Sequence, residues 1–185
     1  NFNDISLIKE CYKQLKFKLG RIPQLMDFEE YGTIDPLRIF DNKSLGSYHA
    51  FLRKYDKEDY KIKFTADQEL VLEFVSRKFA SGKRPHELII LKRILEGSTS
   101  LFADLSDILW SHYQMKMTDK CATNLVNVLT NQFATGSGAN TYAKCIFIQQ
   151  NGNDYCVSSA FAKMLTDPLF RTALMEVIEF GFFRN

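Results

Sequence analysis

The sequence predicts a mainly α protein built from two small helical modules. Apolar residues recur at helical spacing along most of the 185 residues, and Gly, Pro, Ser, Thr and Asp stand where such stretches would begin or end. Two β-like stretches flank Asn151-Gly152, a strong hairpin signal. We therefore expect a three-helix module over residues 1–63 and a helical domain over residues 64–185, with one β-hairpin near 143–157.

The first predicted helix has apolar residues at steps of three and four as far as Leu19. Asn3 or Asp4 would cap its start, and Gly20 would end it. A second face of this helix carries three basic side chains, Lys9, Lys13 and Lys16. Such a face suits a phosphate backbone, but it is more often a solvated polar surface.

Two shorter helices are predicted to complete the first module. Pro23 suits the first turn of a helix over residues 25–31. The Asp35-Pro36 pair predicts a turn, after which Ser44 would cap a third helix that ends near Arg53. Three short helices around an aromatic core are a common DNA-contacting unit, and an equally common spacer.

The second module is predicted to begin with four helices, over residues 67–80, 84–96, 98–112 and 118–133. Thr65 would cap the first of them, and Ser98 or Ser100 the third.

The hairpin and two further helices follow. A two-residue turn at Asn151-Gly152 would pair Gln150 with Asn153 and Ile148 with Tyr155. After it, Ser158 or Ser159 would cap a short helix, and Asp167-Pro168 would start the last one.

The order of these elements is compatible with a winged helix-turn-helix. In that arrangement residues 118–133 would form the recognition helix, and the hairpin tip would form the wing. A helical bundle with an incidental hairpin has the same order of elements, so both alternatives stay open.

A family resemblance rests on four short motifs: Leu19-Gly20-Arg21-Ile22-Pro23, Asp27-Phe28, Asp35-Pro36 and Gly46-Ser47-Tyr48. They resemble the region after the motor domains of bacterial DEAD/DEAH-box helicases, specifically those with an N-terminal phospholipase-D-like nuclease domain and a C-terminal helicase-associated domain of unknown function. This resemblance covers most of the chain. Residues 9–55 also resemble short helical DNA-binding repeats of some helicases and homing endonucleases.

The resemblance implies an accessory region of a larger ATP-dependent helicase. Its partners would be DNA or RNA, the motor domains and the C-terminal domain of the parent chain. A cytoplasmic location is expected from the lack of a membrane-spanning run and of a signal-peptide pattern in the sequence. The residues expected to contact nucleic acid are Arg21, Lys43, Arg53 and Lys54 in the first module, and Lys116, Lys120, Thr123, Asn124, Asn127, Gln150, Asn151 and Asn153 in the second.

The residues themselves indicate no catalytic chemistry. The sequence contains no phosphate-binding Gly-x-x-x-x-Gly-Lys-Ser/Thr loop, no His-x-Lys pair and no C-x-x-C pair. We therefore expect no enzyme activity and no cofactor in this part of the parent chain. No apolar run approaches the roughly 20 residues that span a bilayer, so no membrane partner is expected.

Charge gives the nucleic-acid hypothesis little support. The net charge is only +2, with 12 basic and 10 acidic residues in 1–63 and 12 of each in 64–185. This balance argues against a strongly electrostatic nucleic-acid binder. The alternative is a structural or protein-interaction module that docks the motor onto flanking domains, for which the aromatic residues Phe180, Phe182 and Phe183 are candidates.

Overall fold

The computed structural model describes residues 2–32, 34–82, 88–119 and 147–184. These residues form nine helices and one two-stranded antiparallel hairpin, which confirms the mainly α class. The elements are α1 (Phe2–Leu19), α2 (Leu25–Tyr31), α3 (Leu37–Asp41), α4 (Tyr48–Tyr55), α5 (Ala66–Ala80), α6 (Ile89–Leu95), α7 (Leu101–Tyr113), β1 (Ile148–Asn151), β2 (Asp154–Val157), α8 (Ser159–Met164) and α9 (Pro168–Arg184).

The ends of α1 agree with the sequence only in part. Gly20 follows the helix with a φ of 71°, the left-handed conformation in which glycine commonly ends a helix. The helix begins at Phe2, ahead of Asn3 and Asp4, so the prediction of either residue as the N-cap is wrong.

The start of α2 also differs from the prediction. The helix begins at Leu25 with Gln24 as its N-cap, so Pro23 precedes the helix instead of lying in its first turn. The Asp27 Oδ2 atom accepts the Gln24 N–H at 2.7 Å, which satisfies a donor at the helix start. The Pro23 carbonyl is used as well, since it accepts the Tyr48 hydroxyl at 2.6 Å.

Helix α3 was not predicted, so the described part of residues 1–63 contains four helices and not three. Tertiary burial explains it, since Ile39 and Phe40 are fully buried although the helix has only five residues. The next N-cap is Ser47, whose side chain accepts the Ala50 N–H, so the prediction of Ser44 is wrong. Instead, the Ser44 hydroxyl donates to Asn42 Oδ1 at 2.7 Å.

Four predicted helix starts are confirmed by their hydrogen bonds. Thr65 caps α5 by accepting the Gln68 N–H, and the Gln68 side chain accepts the Thr65 N–H in return. The other confirmed starts are Ser100 for α7, Ser158 for α8 and Asp167-Pro168 for α9. Most of the helix predicted over residues 118–133 lies outside the described residues.

The hairpin is present, but its predicted turn is wrong by one residue. Asn151 pairs with Asp154 and Ile148 with Val157, so Gly152 and Asn153 are the central turn residues. Gly152 has a φ of 62° and Asn153 does not have a positive φ. Those signs match a type II′ turn, which needs glycine only at its first central position.

Buried side chains on both sides of residue 63 form one hydrophobic cluster. Phe40 of α3 meets Phe180 of α9 edge to face at 6.1 Å between ring centroids, and Phe64 meets Phe170 in the same way at 5.7 Å. The division into modules at residue 63 stays a prediction. The winged helix also stays a prediction, because most of the predicted recognition helix, residues 118–133, lies outside the described residues.

Helices α5 and α9 cross with almost no space between them at Gly181. A Cβ atom placed on this buried glycine would lie 2.4 Å from three atoms of the Phe79 ring. That ring is itself held at 5.3 Å from the ring of Phe182. The close contact therefore depends on glycine at position 181.

None of the helices in the described part combines the length and the hydrophobicity that a membrane-spanning segment needs.

Candidate functional site

The two arginines predicted to contact nucleic acid both form ion pairs. Arg21 holds Asp27 with two hydrogen bonds, of 2.7 Å to Oδ2 and 3.1 Å to Oδ1. This contact lowers the pKa of Asp27 although burial acts in the opposite direction. Arg53 donates to Glu69 Oε1 at 2.6 Å. These arginines are therefore engaged with carboxylates of the domain itself.

The predicted lysines that the structure describes are exposed, but they lie on three separate elements. Lys43 lies in the turn after α3, Lys54 near the end of α4, and Lys116 after α7. Within the described ranges, none of the three forms an ion pair.

The remaining predicted residues belong to the second module. Asn151 and Asn153 are exposed at the hairpin tip, and Gln150 lies in β1. Lys120, Thr123, Asn124 and Asn127 lie outside the described residues, so their roles stay predictions.

A basic cluster with an aromatic centre forms where α1 meets the end of α4. The Lys9 ammonium lies 4.9 Å from the centroid of the Tyr55 ring, and the Lys54 ammonium lies 5.5 Å from the same centroid. Lys13 is exposed one turn along α1 from Lys9. We call these four residues, Lys9, Lys13, Lys54 and Tyr55, the Tyr55 face.

The Tyr55 face has no acidic partner among the residues that the structure describes. No carboxylate there forms an ion pair with any of its three lysines. The contacts with the Tyr55 ring hold Lys9 and Lys54 only weakly, because an exposed cation–π contact is worth only about 0.5–1 kcal/mol. The face can therefore offer three cations to an anionic ligand.

A buried hydrogen-bond network holds α1 in place beside α4. The Tyr12 hydroxyl donates to Asp56 Oδ2, and the Lys16 ammonium donates to the same oxygen at 2.9 Å. Lys16 also pairs with Asp59. This network fixes the register of the two helices, and it removes Lys16 from the basic side chains that the sequence placed together on α1.

The network shifts the acidity of its central groups. Burial raises the pKa of Tyr12 well above its ordinary value, and the hydrogen bond to Asp56 acts in the same direction. For Asp56 burial acts in the opposite direction, but the hydrogen bonds from Tyr12 and Lys16 together lower its pKa. Asp56 is therefore a buried carboxylate at neutral pH, with donors on two sides.

Several other aromatic side chains are exposed. Phe17 is 92% exposed, Phe183 63% and Trp110 57%, on α1, α9 and α7 respectively. Phe183 is next to Arg184, which pairs with Glu29 and Asp35 and so fixes the end of α9. Single exposed aromatics are common, but one that is held in a fixed position can serve as a contact point.

Comparison with known protein families gives a match over most of the chain. A family model described as a domain of unknown function (DUF8090) matches residues 8–185. No curated protein matches the chain. Because the family model covers nearly the whole sequence, the chain belongs to the DUF8090 family of domains of unknown function.

Proposed function

We propose that this domain is a non-catalytic accessory region of a bacterial ATP-dependent helicase, and that it contacts DNA or RNA beside the motor domains through the Tyr55 face. In such a helicase it would act in the cytoplasm. The observation that supports the contact is the placement of Lys9 and Lys54 against one aromatic ring without a carboxylate partner in the described residues.

The chemistry of the Tyr55 face suits a phosphate backbone better than a specific base sequence. Lysine is a flexible point charge, and it carries no fixed pattern of donors that would read a base edge. Three lysines predict weak, non-specific binding, with a dissociation constant of about 10⁻⁴ to 10⁻⁶ M at physiological salt. The near-neutral net charge of +2 agrees with a contact that assists the motor and does not hold the substrate alone.

We expect Lys9→Glu combined with Lys54→Glu to weaken binding to forked DNA by about tenfold or more, because two attractive contacts become repulsive. Fluorescence anisotropy at about 50 and 200 mM salt measures both the affinity and its salt dependence. The slope of log K against log salt should be about −3 for the wild type if three lysines contact phosphates, and about −1 in the double variant, which keeps only Lys13.

The matched control for this experiment is Lys63→Glu combined with Lys163→Glu, at two positions that are not expected to contact nucleic acid. It changes the net charge by the same amount at exposed positions outside the Tyr55 face, so binding should stay within about threefold of the wild type. If both double variants lose affinity equally, net charge and not the Tyr55 face controls binding. The proposal is also wrong if the wild type does not bind below about 100 μM at the lower salt concentration.

A second candidate function is favoured by the exposed ring of Phe183. In that case the domain is a structural module that docks the motor domains onto flanking domains of the parent chain. The side chain is 63% exposed, while the neighbouring Arg184 is fixed by two carboxylates. An apolar side chain on a rigid helix end is suited to fill a pocket of a partner domain.

Docking predicts that Phe183→Ser reduces capture of the separately produced motor domains by about tenfold, since loss of a central aromatic contact costs roughly 1–2 kcal/mol or more. Phe17→Ser is the matched control, because Phe17 is 92% exposed on another helix. Equal capture by the two variants would exclude Phe183 as the docking residue.

A further inference from the structure

A cavity of about 330 Å³ lies away from the Tyr55 face, between α2, α4, α9 and the segment that links α4 to α5. Most of its lining is apolar and includes Ile22, Leu25, Leu52, Ile62 and Val177. Its volume is at the lower end of the range for small-molecule sites, about 300–1,000 Å³. The cavity could hold a compact apolar group.

The half-buried carboxyl group of Glu176 lines this cavity. Glu176 projects from α9, and its Oε1 atom accepts the Leu25 N–H at 2.8 Å. Burial raises the pKa of Glu176, the Leu25 N–H lowers it, and the nearby Asp27 raises it, with a net increase. Within the described part of the chain, no lysine, arginine or histidine forms an ion pair with it.

The other ionisable groups that line the cavity have partners of their own. Asp59 pairs with Lys16, and the Lys61 ammonium donates to the Lys57 carbonyl at 2.6 Å. Asp59 is itself an acid, and the Lys61 ammonium is engaged elsewhere, so neither neutralises Glu176.

Two further ionisable side chains, those of His49 and Tyr60, also line the cavity. The His49 Nδ1 atom lies 2.6 Å from the Tyr60 hydroxyl, and His49 Nε2 lies 3.4 Å from Glu69 Oε1. Burial lowers the pKa of His49 although Glu69 acts in the opposite direction, and burial raises the pKa of Tyr60 to about 12. Both groups are therefore neutral at pH 7 and supply no positive charge.

From the apolar lining and the one carboxylate without a cationic partner in the described residues, we infer that this cavity binds an organic cation, a compact apolar body that carries a protonated amine. The ammonium would donate to Glu176, and the body would fill the apolar part of the lining. A carboxylate in such surroundings is stabilised most by a hydrogen-bonded cation. A free amine and a lysine side chain of a partner share this chemistry. The inference is independent of nucleic-acid contact.

The test compares ligands of similar shape and different charge. Phenethylammonium, the neutral 2-phenylethanol and the anionic 3-phenylpropanoate are each titrated into the domain at pH 7. The amide resonance of Leu25, whose N–H donates to Glu176, is followed by NMR. The ammonium should bind about five- to tenfold more tightly than the alcohol, since hydrogen bonds between charged partners are stronger than neutral ones, and the anion should not bind. A Gly-Lys-Gly peptide tests whether a lysine side chain can take the place of the free amine.

Glu176→Gln keeps an acceptor for the Leu25 N–H but removes the charge. The ammonium and the alcohol should therefore bind this variant about equally tightly. Glu179→Gln is the control, because Glu179 is exposed on the same helix and does not line this cavity. Its preference for the ammonium should stay unchanged. The inference is overturned if the alcohol binds the wild type as tightly as the ammonium, or if neither amine binds at about 10 mM. It is also overturned if Glu176→Gln keeps the preference.

Discussion

Gly181→Ala is expected to lower the free energy of unfolding by about 2 kcal/mol, although alanine is the better helix former. A new Cβ atom would lie 2.4 Å from the Phe79 ring, a separation that requires the ring or the helix to move. Phe79 is only 1% exposed and packs against Phe182, so the ring has little space to move into. The overlap should therefore outweigh the gain of about 1 kcal/mol in helix propensity.

Urea denaturation measures this effect, with Glu179→Ala as the control on the exposed side of the same helix. The control should change stability by no more than about 0.5 kcal/mol. Phe79→Leu removes part of the ring that the Cβ atom would meet. Combined with Gly181→Ala, it should therefore cost less than the sum of the two single changes. If Gly181→Ala is as stable as the wild type, the close contact between α5 and α9 does not constrain this position.

Asp56→Ala is expected to lower the free energy of unfolding by about 3 kcal/mol. The carboxylate is 7% exposed and accepts hydrogen bonds from Tyr12 and Lys16. Its removal leaves the buried Tyr12 hydroxyl without its acceptor, and a hydrogen bond to a charged group is worth roughly 1.5–3 kcal/mol. Because the same network positions α1 beside Tyr55, the variant should also weaken any nucleic-acid binding by the Tyr55 face.

The pH dependence of this effect has a definite sign. The pKa of Asp56 is lower in the folded state than its ordinary value of 3.8. The carboxylate therefore contributes its full stability above the unfolded pKa, and this contribution is lost as the pH falls through the folded pKa. The difference in stability between wild type and Asp56→Ala should be constant above about pH 5 and should shrink below about pH 4.

Tyr12→Phe tests the Tyr12–Asp56 hydrogen bond separately from the Lys16–Asp56 hydrogen bond. It removes one donor and keeps the ring that packs edge to face on Phe51 at 5.2 Å. We expect Tyr12→Phe to lower the free energy of unfolding by about 1 kcal/mol. The double variant with Asp56→Ala should lose less stability than the two single variants lose together. Strict additivity would show that Tyr12 and Asp56 do not act together.

Helix starts with a local capping group were predictable from the sequence. The side chains of Thr65 and Asp167 each accept hydrogen bonds from backbone N–H groups two or three residues away, so the capping interaction lies within one helical turn. The end of α1 at Gly20 is equally local. Helix α3 was not predictable in this way, because the burial of Ile39 and Phe40 depends on distant parts of the chain.

The local sequence was also insufficient where two neighbouring N-cap residues, or two neighbouring turn dipeptides, are equally suitable. Ser44 and Ser47 are both good N-cap residues, and only Ser47 is placed where its side chain accepts a helix N–H. Asn151-Gly152 and Gly152-Asn153 are both acceptable hairpin turns. The hydrogen bond from the Phe102 N–H to Asp154 ties the observed hairpin to α7, a contact that spans 52 residues.

For the Tyr55 face, the sequence could indicate individual basic residues but not that they lie together. The sequence indicated that Lys9 and Lys13 share a helix face and that Lys54 is basic. It could not show that Lys9 meets Tyr55, because no local rule relates α1 to the end of α4. The acidic partners of Arg21 and Arg53 lie 6 and 16 residues away, which is beyond the reach of helical periodicity.

Helix α9 closes the fold onto the beginning of the chain. Glu176 accepts the Leu25 N–H across 151 residues of sequence, and Arg184 reaches Glu29 across 155. Contacts of such high sequence separation form late, because a long loop must close first. During synthesis Phe28 of α2 can pack on Tyr48 of α4 early, but the contacts of α2 with α9 can form only after α9 has emerged, at about 5–20 residues per second. The surface of α2 that α9 covers would stay exposed in that interval.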